Sequence, residues 1–111
     1  DFTTEWNYAL GYLLFHVVRN SQRALGPLEA VIGADPKRAD AWLLLVEANQ
    51  DLGQGAQEDA AAVEYLKLAP ETADAFRLRA QRYTANGQLR EAAEEYRQGI
   101  SRYPTVDVLH Y

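Results

Sequence analysis

Two histidines, His16 and His110, and two adjacent acidic pairs, Glu58-Asp59 and Glu94-Glu95, are the side chains of this 111-residue sequence best suited to proton transfer or metal binding. Such work needs groups that converge. The sequence contains no His-x-x-x-His, no His-Glu-x-x-His and no Cys, so the usual metal-ligand spacings are missing. Adjacent helical residues point about 100 degrees apart, so neither acidic pair can easily share a proton or an ion, and both read as solvent-facing charges. His16 falls in an apolar stretch and reads as a structural histidine. Gly53-x-Gly55 lacks the third glycine, the lysine and the preceding strand of a phosphate loop, and reads as a loose turn. The expectation is therefore no catalytic residue, no metal, no cofactor and no enzyme; function falls to a surface.

The elements that would build such a surface follow a rhythm. Pro36, Pro70 and Pro104 are evenly spaced, and Ala39-Asp40-Ala41-Trp42 returns at the same interval as Ala73-Asp74-Ala75-Phe76. A fixed period of about 34 is that of stacked helix-turn-helix units, each unable to bury its apolar face alone. Helices are expected near 4–19, 22–34, 39–52, 56–68, 73–85 and 89–102. They form repeats of about 4–36, 37–70 and 71–104 in a single domain over 1–111, and a further helix starts at 105–111. The third unit is clearest. Phe76, Leu78, Ala80, Tyr83 and Ala85 have helical spacing, Asn86-Gly87 closes that helix, and Leu89, Ala92, Ala93, Tyr96 and Ile100 mark the next.

In the middle unit Asp40 is the expected N-cap and Gly53 the expected closure. Its second helix, through Ala56, Ala60, Val63 and Leu66, sits about one residue late, which predicts an altered rotation. The first helix is apolar on more than one side, with Trp6, Tyr8, Leu10, Tyr12, Leu13, Leu14, Phe15, Val17 and Val18, and so wants cover on two faces. Asn20-Ser21 breaks it. Pro27 is expected in the first turns of the following helix, where its missing N–H costs least.

Composition narrows the class. Hydrophobic residues make up 48% and charged ones 24%, which disfavours disorder, and no apolar run reaches the roughly 18 to 20 residues that span a bilayer. The lack of an initiator Met, with a start almost inside a helix, suggests a processed chain or an excised fragment. A net charge of -5 repels phosphate backbones, so no nucleic-acid partner is expected. Residues 37–70 hold three basic against six acidic residues, whereas 71–104 hold six Arg against five acids.

The residues Phe76-x-x-Arg79-Ala80-x-x-Tyr83, Ala92-x-x-x-Tyr96 and Pro104 resemble the tetratricopeptide repeat, and Trp42, Leu45 and Pro70 carry the resemblance into the middle unit. There Val46 stands for the small residue and Asn49 for Tyr. The first unit keeps Leu10-Gly11, Ala24, Leu28 and Pro36 if one residue is inserted between its helices. The resemblance implies an all-α, right-handed α-solenoid of about three helix-turn-helix repeats. Ala80 and Gly11 would let paired helices approach, with Trp42, Phe76, Tyr83 and Tyr96 filling the space between hairpins.

It also implies that a partner protein or peptide lies on a concave face lined by the first helix of each hairpin. The residues so implied are Asp40, Leu43, Glu47, Gln50 and Asp51 in the middle unit and Asp74, Arg77, Gln81 and Thr84 in the third. In the first unit either Tyr8, Tyr12 and Phe15 or Trp6, Leu13 and His16 would join them. Members of the family that grip a C-terminal carboxylate use Lys, Arg and Asn on this face. Here Asp40, Glu47 and Asp51 would repel a carboxylate and Arg77 stands nearly alone, so a basic or mixed-charge segment is the expected partner. The alternative is a structural spacer with no ligand of its own.

The first helix lacks the Lys/Arg face of an interfacial membrane helix, so no membrane insertion is expected. Cover by a preceding repeat or a second copy explains its apolar surface more simply. Nine Arg against two Lys, with many Ala, points by analogy to a bacterial export or exopolysaccharide scaffold, periplasmic in the first instance and cytoplasmic as the alternative.

Overall fold

A computed structural model describes residues 2–104, and among the described residues the secondary structure is entirely helical. Six helices follow one another: α1 (Phe2–His16), α2 (Ser21–Ala34), α3 (Ala39–Asp51), α4 (Gly55–Leu68), α5 (Ala73–Ala85) and α6 (Leu89–Arg102). The expected further helix at 105–111, with Asp107 and His110, lies outside the described residues. The chain falls into two compact units, one ending at Leu68 and the other beginning at Ala69.

The backbone keeps the proline rhythm. The helices α2, α4 and α6 are equal in length and begin at Ser21, Gly55 and Leu89, one proline interval apart; α3 and α5 are also equal and start at Ala39 and Ala73, with the same offset. The turns explain why. Gly53 and Gly87 take the left-handed conformation, with φ of 69° and 76°, and the amides of Gln54 and Gln88 reach back to the carbonyls of Asn49 and Tyr83 at 2.9 and 2.8 Å. This wrapped closure satisfies carbonyls that a helix end leaves open.

Arg19, one proline interval before Gly53, is left-handed too, with φ 64°, although it is not glycine. Its closure is one residue longer, from the Asn20 amide to the Leu14 carbonyl at 2.8 Å. The inserted residue that the first repeat requires therefore sits at the end of α1. It also ends α1 at His16, short of the expected Arg19, and leaves Asn20 to cap α2 by accepting from the Arg23 amide.

In the first unit α1 pairs with α2 and α3 with α4, while α2 also packs against α3. The core is Leu14, Ala24, Leu28, Val31, Ala41, Leu44, Leu45, Val46, Ala48, Ala61, Ala62 and Tyr65. Gly11 is what lets α1 approach α2, because a Cβ there would lie 2.7 Å from Leu28 Cγ and Cδ2. In the second unit α5 pairs with α6 around Ala75, Phe76, Leu78, Ala80 and Ala92. Arg79 and Arg102 lie over the Phe76 ring at 4.8 and 5.9 Å, Tyr103 abuts it, and the Tyr103 hydroxyl donates to the Glu71 carbonyl at 2.6 Å.

Four sequence expectations need correction. The buried face of α4 is Ala61, Ala62 and Tyr65, while Ala56, Ala60 and Val63 are exposed. At one pair of equivalent positions the three second helices carry Leu28-Val31, Ala62-Tyr65 and Tyr96-Gly99, while α4 buries Ala61 where α2 and α6 bury Ala24 and Ala92, one turn earlier. The bulk has moved between two neighbouring sites on the same face, a volume exchange that close packing accepts. Asp40 is not the N-cap of α3. Arg38 holds that place without a side-chain cap, and Asp40 lies inside the first turn.

Pro27 lies in the middle of α2, not near its start, so the Arg23 carbonyl lacks its helical donor. The expected core aromatics also divide: Phe76 is buried, whereas Trp42, Tyr83 and Tyr96 are half-buried, and the Trp42 indole N–H donates to the Pro36 carbonyl at 2.8 Å.

Candidate partner-binding face

The first unit brings the chemistry-bearing side chains together where α1 lies beside α3. Along α1, Tyr8, Tyr12 and His16 recur at every fourth position and therefore share one face. Their rings meet in sequence at tilts of 42° and 50°, with centroids 6.3 and 4.4 Å apart, and Phe15 meets His16 edge-on at 4.8 Å. Along α3, Asp40, Leu43, Glu47 and Asp51 recur at steps of three and four. The result is an aromatic row on α1 beside an acidic row on α3.

Arg38 joins the two rows. Its Nε and one terminal nitrogen donate to both Asp40 carboxylate oxygens at 2.9 Å, the other terminal nitrogen donates to Glu5 at 2.8 Å, and its guanidinium lies 4.7 Å from the Tyr8 ring centre. Fork-on-carboxylate and guanidinium-on-ring are the two geometries in which Arg is held best. The electrostatics agree. Arg38 holds the Asp40 carboxyl below its ordinary range, mainly by hydrogen bonding, and the Arg38 guanidinium is in turn held more firmly protonated. Burial pushes the Tyr8 phenol up, and Asp40 pushes it further.

At the far end of the same two helices Phe15, His16, Arg19 and Asp51 line a cleft of about 250 Å³. Asp51 accepts there from the Ser21 hydroxyl at 3.1 Å. Leu43 and Glu47 are half-buried, and Gln50 is exposed.

The structure thus joins Tyr8, Tyr12 and Phe15 to Asp40 and Asp51, with His16 beside them. Trp6 lies about 200 degrees around α1 from Tyr8, and its ring sits 6.4 Å from that of Phe2. The Asp40 charge is already engaged by Arg38, so the acidic surplus of this face is smaller than the sequence implies. Arg38 and Glu5 are not among the expected site residues. The only local signal for them is an Arg two places before the Asp that opens α3.

The candidates of the second unit form a separate group. Arg77 does not stand alone, since it donates to Asp74 at 3.0 Å within one turn of α5. Gln81 is half-buried, and the Thr84 hydroxyl bonds back to the Ala80 carbonyl at 2.8 Å. Nearby, Arg79, Arg82, Tyr83, Asn86 and Gln88 line a cleft of about 230 Å³, with Arg79 held by Glu95 at 2.9 Å and by the Pro70 carbonyl at 2.7 Å.

Among the described residues no three His, Asp or Glu side chains are placed to share a metal ion, and no helix is long and apolar enough to cross a membrane. No protein-family model matches the chain, and neither does any curated protein.

Proposed function

We propose that this chain is a protein-interaction module of the tetratricopeptide kind, and that the α1–α3 face of its first unit receives a basic or mixed-charge peptide segment. The observation that carries the proposal is the seat of Arg38. A guanidinium already rests there between two carboxylates and a tyrosine ring, which is the chemistry that a partner's Arg or Lys would meet further along the same rows. Tyr12, His16, Glu47 and Asp51 continue the aromatic and acidic rows beyond that seat. The Arg38 guanidinium is already taken up by Asp40 and Glu5, and unit composition favours a basic partner, with ten acidic against five basic residues through Leu68. A bacterial export scaffold is the setting proposed on composition.

The test is fluorescence anisotropy with a short labelled Arg/Ala peptide and its Glu/Ala counterpart. The basic peptide should bind, more weakly as salt rises. Glu47→Lys with Asp51→Lys should weaken it by about tenfold or more, corresponding to about 1.4 kcal/mol. Equal binding of both peptides, or an unchanged affinity in the double variant, would remove the groove and leave the structural spacer as the better description.

A further inference from the structure

The opposite side of α1 carries a second row, Phe2, Trp6, Leu10, Leu13 and Val17, exposed at 81, 73, 44, 47 and 66%. Five large apolar side chains along α1 and its closing turn are more than a monomer ordinarily leaves in water.

The chain itself shows what covers such a row. Because α1 carries one extra residue before its turn, its positions compare with those of α3 at one proline interval plus one, and Gly11 then matches Val46. Trp6, Leu10, Leu13 and Val17 correspond to Ala41, Leu45, Ala48 and Leu52. Of these the first three are buried and the last is half-buried. Both helices have a pairing partner, α2 for α1 and α4 for α3. What α3 has in addition is α2, the second helix of the preceding pair. A helix of the second position is therefore the cover that this row accepts.

The second unit offers one. Two proline intervals after Ser21, Leu25, Leu28 and Ile32 of α2 stand Leu89, Ala93, Tyr96 and Ile100 of α6. The α2 row is buried or half-buried against its neighbours, whereas Leu89 and Ile100 are exposed at 65 and 37%.

We propose that a second copy of this chain covers the α1 row with the Leu89–Ile100 row of its α6, repeating between copies the packing of α2 on α3. Charge favours this pairing over α1 against α1. The stretch through Leu68 is net negative by five, while the stretch from Ala69 carries six acidic and six basic residues. Pairing α1 with α1 brings two net-negative units together; pairing α1 with α6 brings a net-negative unit to a neutral one. The contact joins unlike surfaces, so it is heterologous and can add further copies.

Sedimentation equilibrium tests it. The wild-type chain should exceed its 12.5 kDa monomer mass as concentration rises. Trp6→Asp with Val17→Asp should be monomeric, and so should Leu89→Asp with Ile100→Asp. An equimolar mixture of the two variants should regain one good interface and stop at the dimer. If either charged pair fails to fold by circular dichroism, Trp6→Ala and Leu89→Ala, truncations of exposed side chains, should show the same loss of association. A wild type that stays monomeric, or α6 variants that associate like wild type, would overturn the proposal; the second result would indicate α1 meeting α1.

Discussion

The two units solve the same packing problem with opposite uses of charge. In the second, charges are engaged over short range or around one ring: Arg77 with Asp74, Arg97 with Glu94, Arg79 with Glu95 and Arg102 with Glu71. Two of those arginines also cover Phe76. In the first unit acids outnumber bases, and the ion pair of Arg38 with Glu5 joins the start of α1 to the start of α3. Exposed pairs add little to stability, at most about 1 kcal/mol each, so the contrast bears mainly on what each surface can attract. A unit whose acids and bases balance has little net charge with which to attract a partner. A unit with more acids than bases beside a row of aromatics has net charge to offer a partner.

The sharpest way to break this comparison is to remove the ring on which the second unit is organised. Phe76→Ala deletes a buried aromatic and frees Arg79 and Arg102 from their common surface, and should cost about 3 to 5 kcal/mol in a denaturant melt. Amide protection in α5 and α6 should fall first. Loss spread evenly over all six helices, or a cost far below that range, would show that Phe76 is not the hub of the second unit.

The first unit has no such hub, and its α1–α2 contact depends on an absence of volume. Gly11→Ala places a methyl 2.7 Å from Leu28, which is fully buried and cannot retreat, so overpacking should outweigh the helix-propensity gain and destabilise by about 1 to 2 kcal/mol. Gly26→Ala would not serve as a control. That glycine precedes Pro27, whose ring disfavours a Cβ on a helical neighbour, so the fair control is Gly33→Ala, which lies in α2 with nothing within 4 Å of its added methyl and should stabilise by about 0.5 to 1 kcal/mol. Thermal melts moving in the same direction for both variants would contradict the close approach at Gly11.

These positions also mark what can be read from the sequence. Gly53, Gly87 and the three prolines set the turns because their backbone preferences are local, and the second helices consequently start where the spacing predicts. Arg19 is not legible as a left-handed residue, since nothing in its type announces that conformation; only the extra residue before α2 imposes it. The α4 register is easily misread because Ala60, Val63 and Leu66 make a plausible apolar row when the exchange of bulk between Ala62-Tyr65 and Tyr96-Gly99 is not in view. For the candidate face, Tyr8, Tyr12, Asp40 and Asp51 follow from the resemblance. The seat of Arg38 does not, because Glu5 and Tyr8, which complete it, lie on a helix distant in sequence.

That seat gives the smallest but most specific effect. The Asp40 carboxyl titrates below its ordinary value chiefly because Arg38 hydrogen-bonds the charged form. The stabilisation it provides is therefore complete above the ordinary aspartate range and disappears as pH falls through the depressed native value; Arg38 stays protonated throughout. In the second unit Glu94 is also depressed, but by Gln98 and Arg97 on its own helix. The comparison predicts different responses to one distant change. Arg38→Ala should move the Asp40 midpoint up toward the ordinary value in a carbon-detected NMR titration while Glu94 keeps its own midpoint, and basic-peptide binding should begin its acid-side decline at a higher pH. An Asp40 midpoint that ignores the loss of Arg38 would mean that the α1–α3 face does not hold a guanidinium in the way its geometry describes.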